Sequence, residues 1–166
     1  MILQAFLSFL LLIGTVTTEL SFFASFPEPL RSFPLVMLFG VLIAHFVRPN
    51  VGCAWMIVGG IMLDMMGSPG YSIFFAYGVA GLTGFLLQQR VFTNRSLYAM
   101  MGLGLSMDVA FHLTNGAILL VLDPAEIQLR APLIQICLFA FVLALTFFVS
   151  RRLSRLLESL FLIRSS

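Results

Sequence analysis

Hydrophobic positions along this chain come in long unbroken stretches rather than in alternation. Six apolar runs stand out: Ile2 to Thr18, Phe33 to Val47, Val51 to Met66, Tyr71 to Leu87, Ser96 to Leu122 and Ala131 to Val149. Charges or turn residues close each one. Glu19 ends the first, Arg48-Pro49-Asn50 the second, Gly67-Ser68-Pro69-Gly70 the third, Gln88-Gln89-Arg90 the fourth, Asp123-Pro124 the fifth and Arg151-Arg152 the sixth. Between the first two runs, Pro27, Pro29 and Pro34 break any helix, while Phe22, Phe23 and Phe26 suit a membrane interface. A spanning helix needs about 20 apolar residues. The pattern therefore predicts an all-α, polytopic membrane protein with six transmembrane helices. Runs two to four are short, and run five has room to tilt or kink.

After the sixth run, Leu153, Leu156, Leu157 and Leu160 recur with helical spacing, and Arg151, Arg152 and Arg155 form an opposite basic face. The expected organisation is a six-helix transmembrane domain over residues 1–150 and an amphipathic basic cytoplasmic tail over 151–166. The tail is expected to lie against anionic lipid; docking of a partner protein is the alternative.

Composition narrows the function. The chain has 166 residues, 60% hydrophobic and 10% charged, against roughly 25% charged in a soluble domain. So few charges exclude a soluble enzyme, a nucleic-acid-binding module and a disordered chain. Two cysteines exclude a disulfide scaffold. Cys53 and Cys137 are expected at depths differing by more than the ~7 Å a disulfide allows, so both are read as free thiols. No basic residue precedes the first run and no small-x-small cleavage site follows it, so it is read as a retained helix.

There is no lysine, and the arginines are distributed unevenly. With six spans and a cytoplasmic N-terminus, Arg48, Arg90, Arg95, Arg151, Arg152, Arg155 and Arg164 face the cytoplasm. Only Arg31 and Arg130 face outward, among Glu19, Glu28, Asp123 and Glu126. The positive-inside rule then places both termini in the cytoplasm.

Acids inside apolar runs are costly and need a reason. Asp64 falls late in run three and Asp108 near the middle of run five, within Gly60-Ile61-Met62-Leu63-Asp64 and Gly104-Leu105-Ser106-Met107-Asp108. The two stretches hint at a two-helix repeat offset by 44 residues. Asp64 is expected to accept hydrogen bonds from nearby backbone N–H groups or from the next helix's N-terminus. Gly104, Asp108, His112 and Asn115 share one helical face. That stripe reads either as a polar seam between helices or as a proton or solute pathway or a catalytic pair. Gly78, Gly81 and Gly84 in run four, and Gly52, Gly59 and Gly60 in run three, are expected to mark close helix contacts. Zincin, serine-hydrolase, P-loop and paired-cysteine motifs are absent, and the GxGD signature of aspartyl membrane proteases is not met. The chain is read as a non-enzyme with no catalytic residue, metal site or cofactor.

From Pro34 to Arg90 the chain resembles the MreD family of bacterial rod-shape-determining membrane proteins. An apolar helix ends at Arg48-Pro49, and the next ends Gly60-Ile61-Met62-Leu63-Asp64-Met65-Met66-Gly67-Ser68-Pro69-Gly70. That ending is similar to the family's glycine, acid, apolar pair and proline-containing turn, and a glycine-bearing helix and a basic loop follow it. The resemblance implies a non-catalytic subunit of the cell-shape and lateral-wall machinery in the bacterial inner membrane. Its implied partners are an MreC-like bitopic protein and the MreB filament system, with no nucleic acid. The implied fold resembles the substrate-binding subunits of energy-coupling-factor transporters. The alternative function is therefore a substrate-binding subunit of a vitamin-type small-solute transporter. Candidate structural or partner-contact residues are Gly60, Asp64, Gly67, Pro69, Gly70, Asp108, His112 and Asn115.

Overall fold

The computed structural model of the chain describes residues 2–28, 30–67, 73–92, 94, 96–122 and 130–161; for residues 2, 4, 5, 24, 130–132 and 150–161 it describes the backbone only. Six α-helices follow one another: α1 (Ile2–Thr17), α2 (Leu35–Phe46), α3 (Pro49–Met66), α4 (Ile73–Arg90), α5 (Leu97–Leu122) and α6 (Arg130–Phe161). Among the described residues there is no strand.

Proline sets the breaks where a backbone without a free φ must stop a helix. After α1 the chain widens into one π turn over Thr18–Phe22, tightens into a 3₁₀ turn over Phe23–Ser25, and becomes extended at Phe26 ahead of Pro27. Arg48 is likewise extended (φ −152°, ψ 138°), and Pro49 then opens α3 at its first turn, where a missing N–H costs nothing. Only Val47 and Arg48 join α2 to α3, and the N–H groups of both reach the Ile43 carbonyl, at 2.9 and 3.2 Å. That tight reversal makes α2 and α3 antiparallel.

Close contacts give the order of packing. Gly52 lies against Gly40 and Ala44, and Gly59 against Val36, so α3 runs back along α2. Gly60 meets Phe74 and Tyr77, and Gly81 meets Cys53 and Met56, so α4 reverses along α3. Tyr77 packs on Phe111, with ring centroids 4.9 Å apart, and Gly84 on Met107, so α5 reverses again. Finally, α6 returns beside α2 in the same direction, through Phe33–Phe139 (6.1 Å) and Phe46–Phe147 (6.3 Å). Gly78 has open space where a β-carbon would be, so only two of the three run-four glycines mark contacts.

At the centre is α2. From Val36 to Phe46 only Phe39 escapes full burial, as befits a helix that is apolar all round. The outside of the bundle is as apolar as the inside: Phe6, Phe75, Leu113, Phe141 and Phe148 are each more than half exposed. Soluble monomers rarely show large apolar patches. Among the described residues, Pro49–Met66 and Leu97–Leu122 are the helices long and apolar enough to cross a membrane. Phe6–Phe22, Leu35–Phe46 and Leu133–Val149 are shorter apolar segments. At 12 residues, α2 is only about 18 Å long.

Two features depart from the sequence pattern. There is no break at Val149: α6 continues as one 32-residue helix, so the last apolar run and the start of the basic tail share a backbone. The side chains of Arg151, Arg152 and Arg155, and all of Pro69 and Gly70, lie outside the described residues. Beyond Asp108, α5 continues to Leu122 without another buried residue.

Candidate functional site

The polar groups of the bundle gather where α1 and α3 end and α2 and α4 begin. Asp64 sits in the last turn of α3. Its Oδ1 accepts the N–H of Ile73 at 2.8 Å and its Oδ2 that of Phe74 at 3.2 Å. These are among the first N–H groups of α4, which have no partner within their own helix, and the positive end of that helix favours a carboxylate. The expectation that Asp64 caps the next helix is met. Gly60, one turn earlier, makes the geometry possible. A β-carbon there would stand 2.9 Å from the Tyr77 Cβ and 3.2 Å from the Phe74 Cα. Gly67 closes α3, its N–H on the Leu63 carbonyl at 2.8 Å. The described part of the Gly60–Gly70 motif thus builds a helical hairpin.

A second carboxylate does the same job at α2 and was not singled out from sequence. Glu19 lies in the π turn after α1, whose extra residue re-aims the side chain. Its Oε2 accepts the Val36 N–H at 2.7 Å, and its Oε1 accepts the Tyr77 hydroxyl at 2.9 Å. The residue preceding α2 is Pro34, which makes no side-chain cap bond, so the cap is imported from α1. Through Glu19 the ends of α1, α2 and α4 are tied together. Tyr77, fully buried among apolar neighbours, was the available signal, because a buried phenol needs an acceptor. We expect Tyr77→Phe to cost about 1.5–3 kcal/mol, the range for hydrogen bonds to charged groups. That cost should shrink in a Glu19→Ala background, read by a double-mutant cycle of unfolding in detergent.

The third acid is placed differently. Asp108 is fully buried in α5, and its Oδ1 lies 3.5 Å from the Nε2 of His112, one turn along. Neither carboxyl oxygen, nor that Nε2, has a hydrogen-bond partner among the described residues. Asp108 caps no helix, since α5 runs on to Leu122. The sequence likeness to Asp64 therefore does not extend to structural role. Along the polar stripe, Gly104 packs against Leu143 and Val41 and Asp108 is fully buried, while His112 and Asn115 are both partly buried.

Cys53 and Cys137 are free thiols. Among the described residues, no group of three or more His, Cys, Asp or Glu side chains could hold a metal ion. No protein-family model matches the chain, and neither the curated proteins nor the solved structures contain a match.

Proposed function

We propose that this chain is a six-span inner-membrane protein with both termini in the cytoplasm, acting without catalysis by binding partner proteins of the bacterial cell-shape and lateral-wall machinery. The observation that carries the reading is the α2–α3–α4 unit, the stretch that resembles the MreD family. Gly52, Gly59, Gly60 and Gly81, with the acid Asp64, are spent on building two tight helical hairpins. Asp64 has both oxygens on backbone N–H groups, which leaves it ill suited to act as a general base. The apolar exterior supports a lipid environment, and the seven-to-two split of arginines supports the orientation. Binding through the protein surface, with an MreC-like bitopic partner as first candidate, follows from the resemblance.

Two measurements test this. Reporter fusions at Ser166 and within residues 21–32 should read cytoplasmic and periplasmic respectively; a periplasmic C-terminus would overturn the six-span topology. The detergent-solubilised protein should co-purify with a bitopic cell-shape protein. Recovery of a vitamin-sized ligand without such a partner would replace the reading with that of a solute-binding subunit.

A further inference from the structure

Glu19, Asp64 and Asp108 follow one another at intervals of 45 and 44 residues, each on an odd-numbered helix or the turn that ends it. The first two have been spent on the N-termini of the following helices. The third is the most buried of the set, and nothing in the described protein donates to it. Facing it at 3.5 Å is an imidazole nitrogen, itself buried and without a hydrogen-bond partner among the described residues. An acid and a base, both orphaned and facing each other, complete one another only if a proton lies between them.

We propose that Asp108 and His112 are a proton-binding site, the carboxyl and the imidazole together holding a single proton between Oδ1 and Nε2. With the proton on Oδ1, a neutral acid donates to the Nε2 lone pair. Moved across, it leaves a carboxylate facing an imidazolium. Either way the pair is neutral overall and each orphan gains a partner. Without that proton, the Nε2–H tautomer of a neutral imidazole still donates to the carboxylate, but the pair then carries a net negative charge in the core, which burial disfavours.

Among the described residues, the surroundings supply no other ionic partner. On α4, the hydroxyl of Tyr77 is committed to Glu19. On α2 and α6, the residues packed at the preceding turn of α5 are Val41 and Leu143. The ionisable residue described within α2, His45, lies about one turn beyond Val41 toward Arg48. Among the described residues, the ion-pair partner of Asp108 is His112. The site stands on burial within this chain and does not depend on which partner the protein binds.

The chain has two histidines, so the test is direct. In a His45→Asn variant with ¹⁵N-labelled histidine, reconstituted in lipid nanodiscs at neutral pH, NMR reports the protonation of His112 alone. Infrared spectra report a protonated-carboxyl C=O band, assigned to Asp108 if Asp108→Asn removes it while Glu19→Gln and Asp64→Asn do not. One proton gives either that band with a neutral imidazole, or an imidazolium without the band. A neutral imidazole with no band, or an imidazolium with the band, would each overturn the proposal. Where Asp108→Asn misfolds, ¹³C-carboxyl labelling of aspartate in an Asp64→Asn, Asp123→Asn background assigns the band without changing Asp108, because the chain has three aspartates. Where Asp108→Asn folds, its His112 Nε2 resonance should move, and an unmoved resonance would also overturn the pairing.

Discussion

Gly52→Ala should destabilise the protein by about 1–3 kcal/mol, and Gly52→Val should abolish the native fold, because overpacking here meets backbone rather than a yielding side chain. A β-carbon at Gly52 would lie 2.6 Å from the Ala44 Cβ, 2.7 Å from the Ala44 nitrogen and 2.7 Å from the Gly40 carbonyl oxygen. None of those atoms can rotate away. The two helices would have to part, and with only Val47 and Arg48 between them the connection gives no slack. Parting also exposes α2, the helix every other layer packs on. Gly84 is the natural control, because there the obstruction is the flexible Met107 side chain, which can change rotamer. Gly84→Ala should therefore cost less than Gly52→Ala. Thermal unfolding of both variants in one detergent checks the order, and equal losses would mean that the α2–α3 approach is no tighter in solution than the α4–α5 one.

Which of these features could be read in advance follows from how local their causes are. Helix ends set by Pro49 and by the Gly67 turn are local, and they fall within two residues of where the apolar pattern puts them. The cap on α4 was also legible, because Asp64 sits a short turn before the helix it serves. The cap on α2 was not. Glu19 and Val36 are separated by a loop with three prolines, and the π turn that aims the carboxylate leaves no signature in the residue pattern. Nor could the pattern rank the helices. Run two looks like any other span, yet as α2 it is the buried hub, a distinction that only the order of packing creates. Asp64 and Asp108 match in local sequence and diverge in role for the same reason. One lies where its helix ends against a neighbour's first turn; the other lies where its helix has fourteen residues still to run.

Asp64→Leu should be among the most damaging single changes in the bundle, and Asp64→Asn much milder. The leucine leaves the N–H groups of Ile73 and Phe74 without their acceptor, and each unsatisfied buried donor costs about 1–3 kcal/mol. Loss of the negative charge at the N-terminus of α4 adds roughly 0.3–1 kcal/mol. Together that is about 2–7 kcal/mol if both donors stay dry, a large share of the roughly 5–15 kcal/mol that holds a small domain folded. Asparagine keeps one oxygen able to accept, so it should lose one bond and the charge term but preserve the hairpin. The pair of variants also separates structure from chemistry. If Asp64 acts by capping, membrane levels, detergent unfolding and partner recovery should fall together, steeply in Asp64→Leu and about half as far in Asp64→Asn. An Asp64→Asn protein that inserts and unfolds like wild type yet has lost all cellular function would instead give the carboxylate a role in proton transfer or catalysis, which its two backbone hydrogen bonds argue against.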